Sequence, residues 1–245
     1  MSGPKILFLD IETSPNICTS WSVGYKISLS PDNIVEERRI ICISYKFAGD
    51  KKVKTLAWDR NQCDKTLLQK FSAIMHSADV LVGHNGDRYD LRFINGRLLY
   101  HGLDPVTEVQ SIDTLKEARR HFYLNSNKLD YIGQFLKVGK KIQTGGFSLW
   151  KQVHLDNNRT ALKKMIKYCE QDVLLLEKVF YALRPYVTAK VHAGLLMGAG
   201  AEGCPACGSH KVQRWGVRTT KAGRYQRFKC NSCAHTFKSS KKLKD

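Results

Sequence analysis

The chain has 245 residues, and its 40 Lys and Arg against 22 Asp and Glu give a formal net charge of +18. No apolar run approaches the roughly 18 residues that a membrane-spanning helix needs, and neither a lipidation signal nor an internal repeat is visible. The composition therefore argues against a membrane protein, and the positive charge favours an acidic partner such as nucleic acid.

The first motif follows a short apolar run at residues 5–9, which predicts a buried strand that ends in acidic residues. Because side chains alternate between the faces of a strand, Asp10 and Glu12 should point to the same side, with Cα atoms about 6–7 Å apart. Two such carboxylates repel each other and resist burial, and Mg²⁺ or Mn²⁺ would remove both problems. The alternative is an ordinary acidic loop at a strand end that emerges into solvent.

The next three elements are ordinary ones. Residues 39–47 and 53–58 predict two strands joined by a turn at residues 49–50, and residues 67–75 predict a short amphipathic helix.

A second acidic motif follows the apolar run at residues 80–82, which predicts another buried strand. From residue 88 onward the apolar residues follow helical spacing: Leu91, Ile94, Leu98 and Leu99. Asp90 should therefore lie in the first helical turn, where the helix dipole favours a carboxylate. Asp87 is the better candidate for the N-cap, and Asp90 could be no more than a favourable charge at the helix terminus.

Residues 111–114 predict one more strand, which leads into a helix at residue 115, and residues 128–136 predict a further helix. The basic, glycine-containing segment 137–150 reads as a loop that could follow a nucleic-acid backbone. Its Phe147 and Trp150 could stack on a base or pack beneath the loop, and we favour packing for Trp150. Strands with intervening helices predict a central sheet with helices on both sides.

The third motif lies in a long helix predicted over residues 159–183, whose apolar residues keep a 3.6-residue period. Tyr168 and Asp172 are at positions i and i+4, so they share a face of this helix. Such a pair is common by chance, and a half-buried tyrosine beside a solvated aspartate is the alternative.

Together and in this order, the three motifs resemble those of the DEDD superfamily of 3′–5′ exonucleases, tyrosine subclass, on a ribonuclease H-like fold. Residues 10–13 resemble its first motif. Residues 85–90 resemble its second and residues 168–172 its third, both in the form found in the proofreading domains of B-family DNA polymerases. The resemblance covers about residues 1–185. One departure is Tyr89, where many relatives have Phe.

The resemblance implies that four carboxylates hold two Mg²⁺ or Mn²⁺ ions, about 3.5–4 Å apart, that activate a water and stabilise the leaving 3′ oxygen: Asp10, Glu12, Asp90 and Asp172. It also implies that Tyr168 orients the water, since a phenol with a pKa of about 10 is a poor base at neutral pH. Further residues would bind the substrate: Thr13, His84, Asn85 and Lys141. A purely structural role for His84 is equally consistent. Asp113 recurs in the family as a structural residue, so we leave it out of the metal site.

Two Cys-x-x-Cys pairs about twenty residues apart have the spacing of a zinc site: Cys204, Cys207, Cys230 and Cys233. Four thiolates suit one structural Zn²⁺, on which the folding of so short a module would depend. With strands predicted at residues 211–215, 224–229 and 235–237, this segment resembles the zinc ribbons of some transposases. Two disulfides in a secreted domain are the disfavoured alternative, because no signal peptide is visible and the other cysteines have no paired spacing.

The positive charge is concentrated in the smaller, C-terminal part of the chain. Residues 1–185 carry 28 basic and 20 acidic side chains and residues 186–245 carry 12 and 2, for net charges of +8 and +10. Cations interleaved with rings are suited to phosphates and bases, and these are the predicted nucleic-acid-binding residues of the ribbon: Arg214, Arg218, Lys221, Arg224, Tyr225, Arg227 and Lys229. A solubilising tail is the alternative, above all for residues 238–244.

We therefore predict an α/β fold with a ribonuclease H-like mixed sheet flanked by helices, and a small C-terminal zinc ribbon. The predicted parts are an exonuclease domain at residues 1–185, a linker or weak helix at 186–202, and a ribbon with a basic tail at 203–245. The predicted function is metal-dependent 3′–5′ hydrolysis of DNA, with single strands preferred, in the cytoplasm of a bacterium or a phage-infected host. Two alternatives stay open: the same chemistry on RNA, and a non-catalytic nucleic-acid-binding protein on a nuclease fold.

Overall fold

The computed structural model describes residues 4–143, 145–188, 192–196, 200 and 202–243. Its strands are Ile6–Thr13 (β1), Ile17–Cys18 (β2), Ile34–Glu36 (β3), Ile40–Phe47 (β4), Lys54–Ala57 (β5), Val80–Gly83 (β6), Gln110–Asp113 (β7), Val212–Thr220 (β8), Gly223–Cys230 (β9) and Thr236–Lys242 (β10). Its α-helices are Lys65–His76 (α1), Asp90–Tyr100 (α2), Thr114–His121 (α3), Leu129–Phe135 (α4), Phe147–His154 (α5), Arg159–Leu183 (α6) and Ala193–Leu196 (α7).

Strand β1 is the centre of a five-stranded sheet with the order β5-β4-β1-β6-β7. It pairs antiparallel with β4 and parallel with β6, and β7 continues the parallel half. Seven of the eight residues of β1 are buried, which explains why its sequence is a nearly continuous apolar run rather than an alternating one.

Helices cover both faces of this sheet. On one face Leu7 and Leu9 pack in a core cluster with Phe71 of α1 and Leu98 of α2. On the other face Phe8 packs against α6, where its ring centroid lies 5.4 Å from that of Phe180. The predicted α/β class, with a mixed sheet between helices, is confirmed. Asp10 and Glu12 follow Phe8 at alternate positions, so they lie on the α6 side of the sheet.

Three local predictions are wrong. Asp87 does not cap α2, which begins three residues later at Asp90, and its carboxylate lies 2.8 Å from the Lys116 amine of α3. Leu99 is 81% exposed, because Leu98 beside it takes the core position at the end of α2. The segment predicted as a loop up to residue 150 turns helical at Phe147, where α5 begins. As favoured, Trp150 packs, with its ring edge-on to that of Tyr168.

Buried acid–base contacts hold the α1 and α2 side of the sheet together. The Asp64 carboxylate is fully buried; it accepts two hydrogen bonds of 2.8 Å from Arg97, one from the Ile40 N–H, and contacts His101 Nε2 at 2.7 Å. Burial alone would raise the pKa of Asp64, but these hydrogen bonds lower it below its usual value.

The last three strands form a separate antiparallel sheet with the order β10-β9-β8. This sheet is attached to the end of α6, where Arg184 donates to the Ala206 carbonyl at 3.0 Å and His235 Nδ1 lies 3.1 Å from the Pro185 carbonyl. Of the predicted linker, residues 189–191, 197–199 and 201 lie outside the described residues. In the part of the chain that the structure describes, no helix is long and apolar enough to span a membrane.

We expect Arg97→Ala to lower the free energy of unfolding by about 3–5 kcal/mol, because it leaves the buried Asp64 carboxylate without its main partner. Chemical denaturation measures this change. Arg92→Ala, an exposed position on the same helix, is the control and should stay within about 0.5 kcal/mol of the wild type. Equal effects of the two substitutions would show that the ion pair contributes nothing specific.

Candidate active site

Four acidic side chains from three elements converge at the end of β1. Asp10 and Glu12 lie on β1, and their carboxylate oxygens are within 4.8 Å of each other. Asp90 is the first residue of α2, and its Oδ1 accepts the Ile11 N–H at 3.2 Å, which holds it against the backbone of β1. Asp172 comes from the middle of α6, which packs across β1. The structure therefore brings together all four predicted carboxylates.

One lysine partly neutralises this cluster. The Lys141 amine lies 2.5 Å from Asp172 Oδ2 and donates to the Tyr168 hydroxyl at 3.2 Å. Lys141, predicted to bind substrate, thus contacts the predicted ligand Asp172 directly. The other Asp172 oxygen, Oδ1, is buried and has no hydrogen-bond partner among the described residues.

The pKa values of the cluster are raised because burial and mutual repulsion both oppose the charged forms. Burial and the nearby Asp172 raise the pKa of Glu12 to about 8, and burial with Asp113 raises that of Asp90 to about 7. The pKa values of Asp10 and Asp172 are also raised, mainly by burial. Burial and Asp172 raise the pKa of Tyr168 to about 12, so its phenol stays protonated at neutral pH.

The donor set fits divalent cations. It offers only carboxylate oxygens from Asp10, Glu12, Asp90 and Asp172, and hard oxygens are the ligands that Mg²⁺ and Mn²⁺ prefer. Asp172 Oδ1 has no hydrogen-bond partner among the described residues, and the carboxyl pKa values are raised. Both observations indicate that the cluster needs more positive charge than the neighbouring side chains supply. Cys169 also lies at the cluster, where its thiol is 3.4 Å from the Asp10 carbonyl and 3.6 Å from Asp10 Oδ2.

An arginine that the sequence did not reveal borders the cluster. Arg38 donates to the Thr13 hydroxyl at 2.8 Å and also to the Tyr89 hydroxyl, which itself lies 2.7 Å from the Thr13 hydroxyl. Thr13, predicted to bind substrate, is thus held by protein partners. No spacing signal links residue 38 to residues 13 and 89, because the contact depends on tertiary packing.

His84 and Asn85 have different surroundings. Both ring nitrogens of His84 are engaged at 2.9 Å, one with the Thr114 hydroxyl and one with the Asn127 carbonyl, which favours the structural alternative. Asn85 adopts a left-handed φ of 66°, which asparagine tolerates better than most residues. Its N–H donates to Asp113, whose carboxylate also caps α3. This explains a structural role for Asp113.

Two clefts border the acidic cluster. One, of about 570 Å³, is lined by Glu12, Arg38, Phe147 and Trp150 among others. The other cleft, of about 730 Å³, begins at Asn85 and Lys141. It is lined by three more basic residues that were not predicted from the sequence: Arg88, Arg119 and Lys128. The site is therefore open on both sides, with positive charge on the second side.

The four predicted zinc ligands lie together. Their sulfurs are within 4.8 Å of one another, with Cys204 3.7 Å from Cys233 and Cys207 3.6 Å from Cys230. A tetrahedral Zn²⁺ with Zn–S bonds of about 2.3 Å requires S···S distances of about 3.8 Å, so the cluster fits zinc rather than disulfides. His235 is engaged with the Pro185 carbonyl and is not needed as a ligand.

The predicted nucleic-acid-binding residues of the ribbon differ in exposure. Four cations are exposed and two are half-buried: Arg214, Arg218, Lys221 and Arg224, then Arg227 and Lys229. Tyr225 does not fit the prediction that its ring binds nucleic acid, because its side chain is 8% exposed and the Lys238 amine lies 3.9 Å from its ring centroid. The ring that solvent reaches is Trp215, with the Lys229 amine 4.6 Å from its centroid.

Comparison with known proteins agrees with this architecture. A model described as the RNase_H superfamily matches residues 33–184. A 69-residue stretch is 42% identical to the PolC-type DNA polymerase III of Ureaplasma parvum serovar 3, which covers 28% of this chain and 5% of that protein. The family B DNA polymerase of Pyrobaculum calidifontis aligns with a TM-score of 0.55 over 76% of this chain and 26% of its own, at 15% identity, which shows the fold. The predicted ribonuclease H-like fold is confirmed.

We expect the protein without added Mg²⁺ or Mn²⁺ to lose stability as the pH rises from about 5 to about 9. The raised pKa values of Glu12 and Asp90 mean that the folded chain binds more protons than the unfolded one. This contribution to the free energy of unfolding is complete below about pH 4. It is lost as the pH rises through the pKa values of the folded state, and it amounts to a few kcal/mol in order of magnitude. Thermal unfolding measures it.

Saturating Mn²⁺ should raise the melting temperature more at about pH 8 than at about pH 6, because it stabilises the charged carboxylates. Glu12→Gln removes one of the titrating groups and should flatten the pH dependence. A melting temperature that rises with pH in the protein without added Mg²⁺ or Mn²⁺ would contradict the raised pKa values.

Proposed function

The chain belongs to the RNase_H superfamily, and on that premise we propose that it is a metal-dependent 3′–5′ exonuclease that hydrolyses DNA, with single strands preferred. One observation carries the proposal. Three separate elements bring four buried or half-buried carboxylates together around the end of β1, with a phenol at their edge. If the four carboxylates had only a structural role, their mutual repulsion would not stabilise the fold.

Asp10, Glu12, Asp90 and Asp172 would hold two divalent cations. Bound there, such ions supply a nucleophilic water and positive charge for the phosphate in the transition state. The chain's own contribution is to fix the four carboxylates. Asp90 is held by the Ile11 N–H, and Asp10 is backed by Cys169.

Tyr168 would position the attacking water by hydrogen bonding rather than remove its proton, since its pKa is raised to about 12. Lys141 holds the phenol by donating to its oxygen. Once cations offset the charge of Asp172, the Lys141 amine becomes available for a non-bridging oxygen of the scissile phosphate.

The cleft beside Asn85 and Lys141 is suited to the strand that leads to the scissile bond. Arg88, Arg119 and Lys128 line it, and no ion pair of these three cations is found within the described residues. Cations without acidic partners provide the sequence-independent attraction that a polynucleotide backbone needs.

DNA rather than RNA is supported by two of the similar proteins, the PolC-type enzyme and the family B enzyme, which are DNA polymerases. The chain spans 5% of the length of one and 26% of the other. The resemblance of its motifs to proofreading domains supports 3′–5′ polarity, and the cytoplasm of a bacterium or a phage-infected host stays the predicted location.

The ribbon would hold the same substrate at a distance from the site. It is attached at Arg184 and Pro185, and Asp172 lies twelve residues earlier on α6. At 1.5 Å per residue this is about 18 Å along the helix, which is about five nucleotides at the rise of one B-DNA strand. A nucleic acid must therefore exceed this length to contact both.

The test of the activity is a cleavage gel. With 5′-labelled single-stranded DNA and Mg²⁺ or Mn²⁺ we expect stepwise shortening from the 3′ end. Asp10→Ala should reduce the rate by at least about a hundredfold, because it removes a ligand of the ions that supply most of the transition-state stabilisation. Duplex DNA and RNA are run in parallel to rank the substrates.

The matched control is Asp87→Ala, an acid between β6 and α2 whose carboxylate contacts Lys116 instead of the cluster, and this variant should cleave at about the wild-type rate. Cleavage that survives both the omission of divalent cations and Asp10→Ala would overturn the proposed site. Binding without cleavage of any substrate would instead support the non-catalytic alternative.

For the ribbon, we expect Cys204→Ser to lower the zinc content and to weaken binding of single strands of about twenty nucleotides. Cleavage of strands of about four nucleotides should be unchanged, because they are too short to span the distance between the ribbon and the site. Metal analysis and binding titrations measure both. Cys18→Ser is the control, since Cys18 belongs to none of the groups of described residues that could hold a metal ion. An equal loss with short and long strands would show that the ribbon does not act through binding at a distance.

A further inference from the structure

A segment between two short strands near the start of the chain exposes large apolar side chains to solvent. This segment, residues 19–33, connects β2 and β3 and is called the arm below. Three of its side chains are essentially fully exposed: Trp21 at 105%, Val23 at 98% and Tyr25 at 109%. Exposed rings of this size mark an interaction surface, because single surface hydrophobics are common but a contiguous set is not.

The sequence of the arm has the pattern of a strand with one covered face. Five apolar residues alternate with small or polar ones over nine positions: Trp21, Val23, Tyr25, Ile27 and Leu29. Yet within the described residues no strand pairs with residues 20–29, and nothing packs on the rings. The alternating pattern predicts a strand with one covered face, but in the structure this face is exposed. Such a disagreement is expected where a binding partner covers the face.

The segments that lead into and out of the arm line the cleft of the active site. The arm follows Thr13, the end of β1, by only a few residues, and Arg38 follows it on the other side. Arg38 donates to Thr13 and Tyr89 and to the Ser14 carbonyl. The same cleft contains Glu12, a candidate ligand of the metal site. The arm therefore begins four residues after Pro15 and ends five residues before Arg38, so it is tethered to this cleft at both ends.

The charges favour a polyanion over a second copy of the chain. Residues 13–31 contain Lys26 and no Asp or Glu, and the whole chain carries +18. A second copy would bring the same charge and be repelled. A nucleic acid would be attracted, and its bases would give the exposed rings a stacking partner.

We propose that the arm closes over a single strand at the active-site cleft, with Trp21 and Tyr25 stacked on its bases. The inference rests on the proposed function, because it names the same nucleic acid as the occupant. Stacking on rings requires unpaired bases, so the arm would select single strands over duplex.

The test measures binding apart from cleavage. In the full-length Asp10→Ala protein, which leaves the strand intact, the affinity for a fluorescently labelled oligothymidylate is measured by anisotropy. We expect Trp21→Ala and Tyr25→Ala each to weaken binding by at least about fivefold, the factor at the lower end of what the loss of one stacked base corresponds to. Because both rings are fully exposed, neither substitution removes packing.

A strand of the same length with abasic residues at its 3′ end separates stacking from charge. Its affinity should be equal for wild-type and arm-substituted proteins, since no base is present to stack. The control is Tyr100→Ala, a 70% exposed ring at the far end of α2, which should change neither affinity.

Two results would overturn the inference. One is unchanged affinity for oligothymidylate in both arm variants. The other is a wild-type dimer in sedimentation that the arm substitutions dissociate without nucleic acid, which would make a second copy the occupant. If the arm substitutions leave the affinity unchanged while the wild type cleaves DNA, only the inference about the arm fails. If the wild type does not cleave DNA, the proposed nuclease function fails, whatever the arm does.

Discussion

The structure depends on one electrostatic constraint, the burial of several carboxylates within a single cluster. Glu12, Asp90 and Asp172 are 9%, 5% and 1% exposed, so each loses hydration while it faces its neighbours. Both effects favour the protonated form and raise the carboxyl pKa values. Lys141 supplies one positive charge, whereas the four carboxylates of the cluster would carry four negative charges when ionised. An arrangement of this kind is stable in its charged form only when further cations enter.

Buried acids elsewhere in the chain show that burial alone does not create this state. Asp64 is fully buried, yet its pKa is lowered because Arg97 meets it with two hydrogen bonds. Glu177 on α6 has its own partner, the Lys46 amine at 2.5 Å. These acids stabilise the fold with partners that the chain provides. The acids at the end of β1 differ in that the chain provides too few positive partners for them. This difference separates the structural carboxylates from the proposed metal ligands more sharply than exposure does.

Local patterns predicted the parts of the site that depend on local geometry. Strand alternation placed Asp10 and Glu12 together, and the 3.6-residue period predicted α6 to its observed ends, Arg159–Leu183. The contact of Arg38 with Tyr89 joins distant segments through tertiary packing, so no spacing could predict it. The burial of Tyr225 was missed for the same reason, since a lysine from the next strand covers its ring.

The two surfaces proposed to bind nucleic acid lie at different distances from the acids, which bears on the kind of substrate. The arm begins six residues after Thr13 in the chain, whereas the ribbon is attached about 18 Å along α6 from Asp172. A mononucleotide in the site could contact neither the ribbon nor several rings of the arm. A polymer could contact both, and each contact would raise the effective concentration of the strand at the other. The arrangement therefore favours a polynucleotide substrate over a small phosphate ester, on grounds that do not depend on the chemistry of the site.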